Sequence, residues 1–489
     1  MPKSGLLLVL LLLAACGAPA PPPAAPKPVA HAPGPPLPEP LRTQLAACDG
    51  GDTKACVEVA IALFQGTGTQ PDYDRSRKLF EHACEAGNAR GCNGLGNLYV
   101  YGKGAKRDPE RATALYRRAC DAGESHGCFN LAHAYLIGSG TKADPQRAAG
   151  LFDDGCKKDN NAEACGVLAA MSYRGLGTPR DVERALELAK RGCDGDDAQA
   201  CENLALFLAD QKRGDDARLF ALHEKACKGG SPVGCDSLGY AYEGGKGVTA
   251  DPSRALELYE RACSMGGAHG CQNFGRKLVE TDPSRARVEL EKACDGDEAD
   301  ACNDAGALYA NGRGGPVDAA RAVAFLEKAC SGGSMSGCNN LAIALRLGTG
   351  LAKDPARARE LFKRACEHDV WPACNDLGTM YLTGELPADF EAARAVVERA
   401  CAAGDANGCN TLGSVLADPN NPRRDPAKAA LLFSGGCDAG DARACSNLAV
   451  TYDEGLGVKK DPKHAKELFK RACDAGNAAA CSHLPKPKK

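Results

Sequence analysis

The residues best equipped for chemistry in this 489-residue chain are its 27 cysteines. All but one fall into 13 close pairs: Cys48 with Cys56, Cys84 with Cys92, Cys120 with Cys128, Cys156 with Cys165, Cys193 with Cys201, Cys227 with Cys235, Cys263 with Cys271, Cys294 with Cys302, Cys330 with Cys338, Cys366 with Cys374, Cys401 with Cys409, Cys437 with Cys445 and Cys473 with Cys481. Twelve pairs are spaced by eight residues, and Cys156 and Cys165 by nine. A redox centre would need an exposed, low-pKa C-x-x-C, which this spacing does not supply. A metal site would need four converging ligands, and none of the nine histidines recurs in register with the pairs. Structural disulfides fit the spacing. Closing a loop of about nine residues stabilises by roughly 2–3 kcal/mol in the chain-entropy model. So many thiols also favour an oxidising compartment, because a cytosolic chain would have to keep every one reduced. The expectation is 13 local disulfides, no metal and no cofactor.

Two further strings look catalytic. Gly123-Glu124-Ser125-His126-Gly127 matches the G-x-S-x-G nucleophile elbow. That elbow works on a strand-to-helix turn, whereas this string is expected in the connection between two helices, and both glycines recur, as Gly87 with Gly91 and as Gly404 with Gly408. Ser139-Gly140-Thr141-Lys142 matches S-x-x-K, the serine β-lactamase pattern, but it stands in a Gly-rich loop with no K-T-G after it. No H-E-x-x-H and no phosphate-binding G-x-x-x-x-G-K-[ST] occurs. The catalytic residues are therefore left unassigned. Arg111, Arg147, Arg184, Arg254, Arg285, Arg321 and Arg357 each stand nine residues before a cysteine, which suits a helix-surface or packing role better than a ligand comb. Trp371, the only tryptophan, is read as packing at a repeat junction, and His133 and His223 as surface or packed residues.

The elements that must position these residues follow from the same spacing. Successive pairs mostly start 36 residues apart and define 12 units, from Cys56–Cys84 to Cys445–Cys473. After each leading cysteine, positions three, four and seven are apolar or small, as in Leu131, Ala132 and Tyr135, which is one face of a helix. A Gly-rich stretch follows, and then Asp-Pro, as at Asp108-Pro109 and Asp461-Pro462, opens a second helix with Asp as cap and Pro in the first turn. Ala112, Leu115, Tyr116 and Ala119 give that helix its apolar face, and Gly123, Gly404 or Gly476 stops it. No single pair can bury its apolar face alone, so neighbours must stack into a solenoid. Units Cys201–Cys227 and Cys271–Cys294 lack the G-x-G loop.

Composition agrees with a folded domain and excludes other classes. The chain has 44% hydrophobic and 25% charged residues, and its 60 basic and 63 acidic residues leave a charge of -3, which argues against nucleic-acid binding. At the N-terminus, Lys3, an apolar run from Leu6 to Leu13 and the tetrad Leu13-Ala14-Ala15-Cys16 resemble the bacterial lipoprotein signal. The resemblance implies that Cys16 is acylated and begins the mature chain, and that Gly17 in place of Asp directs it to the outer membrane, facing the periplasm or the cell surface. Residues 17–40 hold 11 prolines and are expected to form a non-helical, semi-rigid tether.

The repeated A-C-N-x-L-G-x-x-Y, G-x-G and D-P-x-R-A-x-x-L-F-x-R-A-C-D-A-G strings resemble Sel-one-like repeats, relatives of the tetratricopeptide repeat, and the paired cysteines narrow the resemblance to the cysteine-rich Hcp-type members. It covers residues 41–484, preceded by the signal at 1–16 and the tether at 17–40 and followed by a basic tail at 485–489. It implies an all-α fold, an α/α solenoid of about 12 disulfide-clipped helix–turn–helix repeats in a right-handed superhelix. The implied role is a membrane-anchored extracytoplasmic scaffold with a protein, peptide or cell-envelope ligand on its concave face. Some Hcp-type relatives are described as penicillin-binding proteins or weak β-lactamases, so a β-lactam hydrolase is the alternative, on resemblance alone.

Overall fold

A computed structural model describes residues 37–484 apart from 386 and 388. Cys16 with its signal, the tether up to residue 36 and the tail at 485–489 lie outside the described residues. Within them the structure is entirely helical, with no strand.

A leading helix α1 (Glu39–Asp49) precedes the repeats. Twelve helix pairs follow: α2 (Thr53–Gln65) with α3 (Tyr73–Glu85), α4 (Ala89–Tyr101) with α5 (Pro109–Asp121), α6 (Ser125–Ile137) with α7 (Pro145–Lys158), α8 (Ala162–Arg174) with α9 (Val182–Asp194), α10 (Ala198–Asp210) with α11 (Asp216–Lys228), and α12 (Pro232–Gly244) with α13 (Pro252–Ser264). The second six are α14 (Ala268–Leu278) with α15 (Pro283–Asp295), α16 (Ala299–Asn311) with α17 (Ala319–Ser331), α18 (Met335–Leu347) with α19 (Pro355–Glu367), α20 (Trp371–Leu382) with α21 (Phe390–Ala402), α22 (Ala406–Ala417) with α23 (Pro426–Asp438), and α24 (Ala442–Glu454) with α25 (Pro462–Asp474). A single turn, α26 (Ala478–Cys481), closes the series. The chain divides within α13, between Leu258 and Tyr259, into two compact units.

One expectation needs correction. The tether boundary at residue 40 is too late, because α1 begins at Glu39, with Pro38 as its N-cap and Pro40 in its first turn. Proline removes only a donor that a first turn leaves unpaired, so it can start a helix. Leu37 is buried against Val59 and Leu63 and anchors this end.

The helix ends obey their sequence signals. Asp108 Oδ1 accepts from Arg111 N at 2.9 Å, and Asp354 Oδ1 accepts from Arg357 N at 2.9 Å, each capping a second helix. These second helices end in a left-handed residue whose neighbours fold back: Gly123 N donates to Cys120 O and Glu124 N to Ala119 O, at 2.8 and 3.0 Å. Asp196, Asp297 and Asp369 take the same left-handed conformation in place of glycine, with φ near 65°.

Across that turn the next helix comes very close. A Cβ on Gly127 or Gly408 would lie 2.6 Å from the Cβ of Ala119 or Ala400, so only glycine fits opposite the alanine. This approach brings the flanking cysteines together, and each is bonded to its near neighbour. In the first unit the bonds are Cys48–Cys56, Cys84–Cys92, Cys120–Cys128, Cys156–Cys165, Cys193–Cys201 and Cys227–Cys235. In the second they are Cys263–Cys271, Cys294–Cys302, Cys330–Cys338, Cys366–Cys374, Cys401–Cys409, Cys437–Cys445 and Cys473–Cys481. Their Cα–Cα separations run from 4.3 Å at Cys263–Cys271 to 4.8 Å at Cys156–Cys165, so the extra residue of the nine-residue pair is absorbed in the turn.

Within each unit most first helices of successive repeats touch one another. In the first unit α2 meets α4, α4 meets α6, α8 meets α10 and α10 meets α12; in the second, α16 meets α18, α20 meets α22 and α22 meets α24. Second helices of successive repeats make at most fringe contact with each other.

Candidate interaction surface

The catalytic-looking strings do not assemble. Ser125 is not in a connection, as its sequence suggests, but is the first residue of α6, capped by Glu124. The left-handed turn at Gly123 is short enough for the helix to restart at once. The His126 imidazole turns to Glu124 Oε1, at 3.1 Å, and is largely exposed. Ser139 stays in the loop after α6, where its carbonyl accepts from Thr113 Oγ1 at 2.8 Å. Catalysis by either serine gains no geometric support.

The arginine column has a structural explanation. Five of its seven guanidinium groups reach back to the preceding repeat, where Arg184 meets Asp153 at 2.9 Å, Arg357 meets Glu327 at 3.0 Å and Arg285 meets Glu260, while Arg147 and Arg254 pair with Asp144 and Glu257 of their own repeats. Arg111 also stacks 4.5 Å from the centre of the Tyr99 ring, and Arg321 4.7 Å from that of Tyr309. A second cation, two residues before the cysteine, caps the previous second helix: Arg118 donates to Cys84 O at 2.6 Å and Lys328 to Cys294 O at 2.7 Å.

Trp371 starts α20, half-buried against the core of its repeats. His133 is packed between Phe129 and Phe152, with ring centres 4.7 and 5.2 Å away, and burial pushes its pKa down. His223 Nδ1 lies 2.9 Å from the fully buried Glu202, whose other oxygen accepts from Ser237 Oγ at 2.9 Å. Glu202 is the centre of this group and the serine and histidine do not face each other through it, so no nucleophile–base pair forms.

A polar relay runs between first helices. The residue just after the leading cysteine of one repeat accepts from the second residue after the cysteine of the next. Asn130 Nδ2 donates to Asn93 Oδ1 at 2.8 Å, Asn340 to Asn303 at 2.8 Å and Asn447 to Asn410 at 2.9 Å, while Thr411 Oγ1 donates to Asn375. Asn93 and Asn410 are buried, so each rung replaces water that these amides have lost. The asparagine that follows five of the leading cysteines is plain in the repeat motif, but its partner, 36 or 37 residues away, is not.

Next to this relay, α16 and α18 enclose a cavity of about 420 Å³ over α17. Ala307, Ala310, Val323, Ile343 and Leu347 line it, with Asn311, Asn340 and Thr349 as its only polar side chains and no charge at all. Leu347 is 59% exposed beside it. The first unit carries a different cleft, of about 590 Å³, over the start of α9, with an apolar floor of Leu186, Leu204 and Leu208 and a rim of mixed charge.

The sequence profile of the Sel1 repeat matches nine segments: 53–88, 89–124, 125–160, 162–197, 232–267, 299–334, 336–370, 371–405 and 442–477. The unmatched pairs α10–α11, α14–α15 and α22–α23 all lack the G-x-G loop. No curated protein sequence matches the chain. Among solved structures, c5321, a protective antigen of uropathogenic Escherichia coli with an SLR fold, is 21% identical over 91% of both chains with a TM-score of 0.51. A Sel1 repeat protein from Oxalobacter formigenes is 22% identical over 68% of this chain and 88% of its own, with a TM-score of 0.37. Cysteine-rich protein B of Helicobacter pylori is 26% identical over 33% of this chain and 96% of its own, with a TM-score of 0.19.

Proposed function

We propose that this chain, which belongs to the Sel1 repeat family, is a membrane-anchored extracytoplasmic scaffold that holds a protein or peptide partner along the first-helix side of its repeats. The fold is suited to protein–protein interaction, because within a unit stacked helix pairs present an extended face built from successive repeats. Thirteen disulfides suit an oxidising compartment. The lipoprotein-like signal ending at Cys16 supplies an anchor, and the proline-rich stretch after it a spacer.

The uncharged cavity between α16 and α18 carries the reading. In a chain with 25% charged residues, a recess lined by small and aliphatic side chains and edged by asparagine amides fits an extended segment that offers an apolar side chain and backbone hydrogen bonds. Immobilised full-length protein should retain envelope polypeptides that an Ile343→Asp variant releases at least tenfold more readily. Retention of the same polypeptides by Ile343→Asp and by a variant lacking repeats α16–α19 would place binding elsewhere. Ser125→Ala and Ser139→Ala should leave retention unchanged.

A further inference from the structure

The relay in the second unit has a gap between α18 and α20. Asn303 and Asn339 occupy the same position in successive repeats and are oriented alike. Each directs its Nδ2 at the next residue of its own helix, Asn303 to Asp304 at 3.4 Å and Asn339 to Asn340 at 3.2 Å. Each thereby leaves Oδ1 for the following repeat. Asn303 Oδ1 receives Asn340, Asn375 receives Thr411 and Asn410 receives Asn447. Asn339 receives nothing: its Oδ1 is sealed from solvent and has no partner, and the side chain is 7% exposed. The residue of the next repeat that should supply the donor is Asp376, which is acceptor-only when ionised.

We propose that Asp376 is a proton-gated rung: one proton taken from solvent onto its carboxyl makes it a donor to Asn339 Oδ1 and closes the relay between α18 and α20. The register of the neighbouring rungs, in which the second residue after the cysteine donates, sets Asp376 as the donor for Asn339 Oδ1. The step forms one O–H bond and one hydrogen bond and breaks no covalent bond in the protein. An orphaned buried acceptor costs free energy that the new bond recovers.

The charges around Asp376 permit this. Arg346 on α18 lies 3.3 Å from its carboxylate and 2.7 Å from that of Glu385, so Arg346 keeps a partner when Asp376 becomes neutral. Burial raises the Asp376 pKa above the ordinary carboxylate value and Glu385 adds to the rise, while Arg346 and Arg443 oppose it. A raised native pKa means that the folded state gains stability as pH falls through that value, the gain being complete below the ordinary carboxylate pKa of the unfolded chain. Repeats α18–α19 and α20–α21 should therefore tighten on mild acidification.

The test uses the full-length oxidised protein and three forms: wild type, Asp376→Asn and Asn339→Ala. Amide hydrogen exchange in α18 and α20, corrected for intrinsic rates, should slow about fivefold in wild type as the Asp376 carboxyl titrates, that carboxyl being followed by its ¹³C shift. Asp376→Asn, a permanent donor, should be protected at both pH values, and Asn339→Ala should lose the gain while Asp376 still titrates. Wild-type protection that is flat across the titration, or an equal gain in Asn339→Ala, would overturn the proposal. If Asp376→Asn does not fold, the other two forms still decide.

Discussion

Gly104 of the second repeat lies directly against the backbone carbonyl of Tyr73, the first residue of α3 in the repeat before it. A Cβ on Gly104 would press on the carbonyl oxygen and come within 2.6 Å of its carbon. Gly140 meets Pro109, Gly314 meets Pro283 and Gly457 meets Pro426 in the same way. From the second repeat onward, the second glycine of each G-x-G loop is thus a joint between repeats as well as a turn. Its φ of 66° and its lack of a side chain are both required. Arg77 secures the joint by donating Nε to Gly104 O at 2.9 Å.

Gly104→Ala should therefore cost about 3 kcal/mol, since it combines a left-handed alanine with a backbone clash. Gly87→Ala is the matched comparison: its φ is 86° but nothing lies within 4 Å of the added methyl, so about 1 kcal/mol is expected. Urea unfolding of both variants, with hydrogen exchange in α3 and α4, gives the two costs. Equal costs would remove the inter-repeat role of the glycine.

The disulfides should act locally. Replacing Cys120 and Cys128 together by serine should cost about 2–3 kcal/mol and speed exchange mainly in α5 and α6, which this bond joins. Non-reducing peptide mapping should return each cysteine with its neighbour eight or nine residues away. Recovery of Cys56 joined to Cys84, the two ends of a single repeat, would contradict the register.

Much of this was legible in the sequence, and the limit has a physical cause. Cys, Asp-Pro and Gly mark where each helix stops and starts, because capping and left-handed turns depend on residue type within a few positions. That is why the 12 repeats and their turns could be placed. Contacts between repeats depend on register across some 36 residues, which local signals do not encode. The roles of Arg111 on Glu81, Asn130 on Asn93 and Gly104 on Tyr73 appear only when the repeats are stacked. Ser125 was misplaced for a smaller reason: the turn at Gly123 is so tight that the residue two positions later is already helical.

The proposed anchor is testable by itself. Cys16→Ser should move the protein from the membrane pellet to the soluble envelope fraction, since the remaining 26 cysteines pair among themselves and the mature chain would lack its acyl chains. Mass spectrometry of the wild-type N-terminal peptide should show acylated Cys16. A variant that still sediments with envelope lipid would remove the lipid anchor from the proposal.

His133 gives the first unit a pH dependence of known sign. The imidazole stacks edge-on between Phe129 and Phe152, and desolvation there lowers its pKa below the ordinary value. A depressed native pKa means that the unfolded chain binds the proton more readily. The neutral, packed histidine therefore holds its full stability above the unfolded value, about 6.5, and loses it progressively as pH falls toward the native one. His133→Phe keeps an aromatic ring between the two phenylalanines and removes the titration. The variant should match wild type at pH 8, within about 1 kcal/mol for a near-isosteric exchange, and should be the more stable protein at pH 5. Paired urea titrations at the two pH values read this as a difference of slopes, so the other eight histidines cancel. Parallel pH profiles for the two proteins would show that His133 is solvated in the native state and does not set the acid sensitivity of this unit.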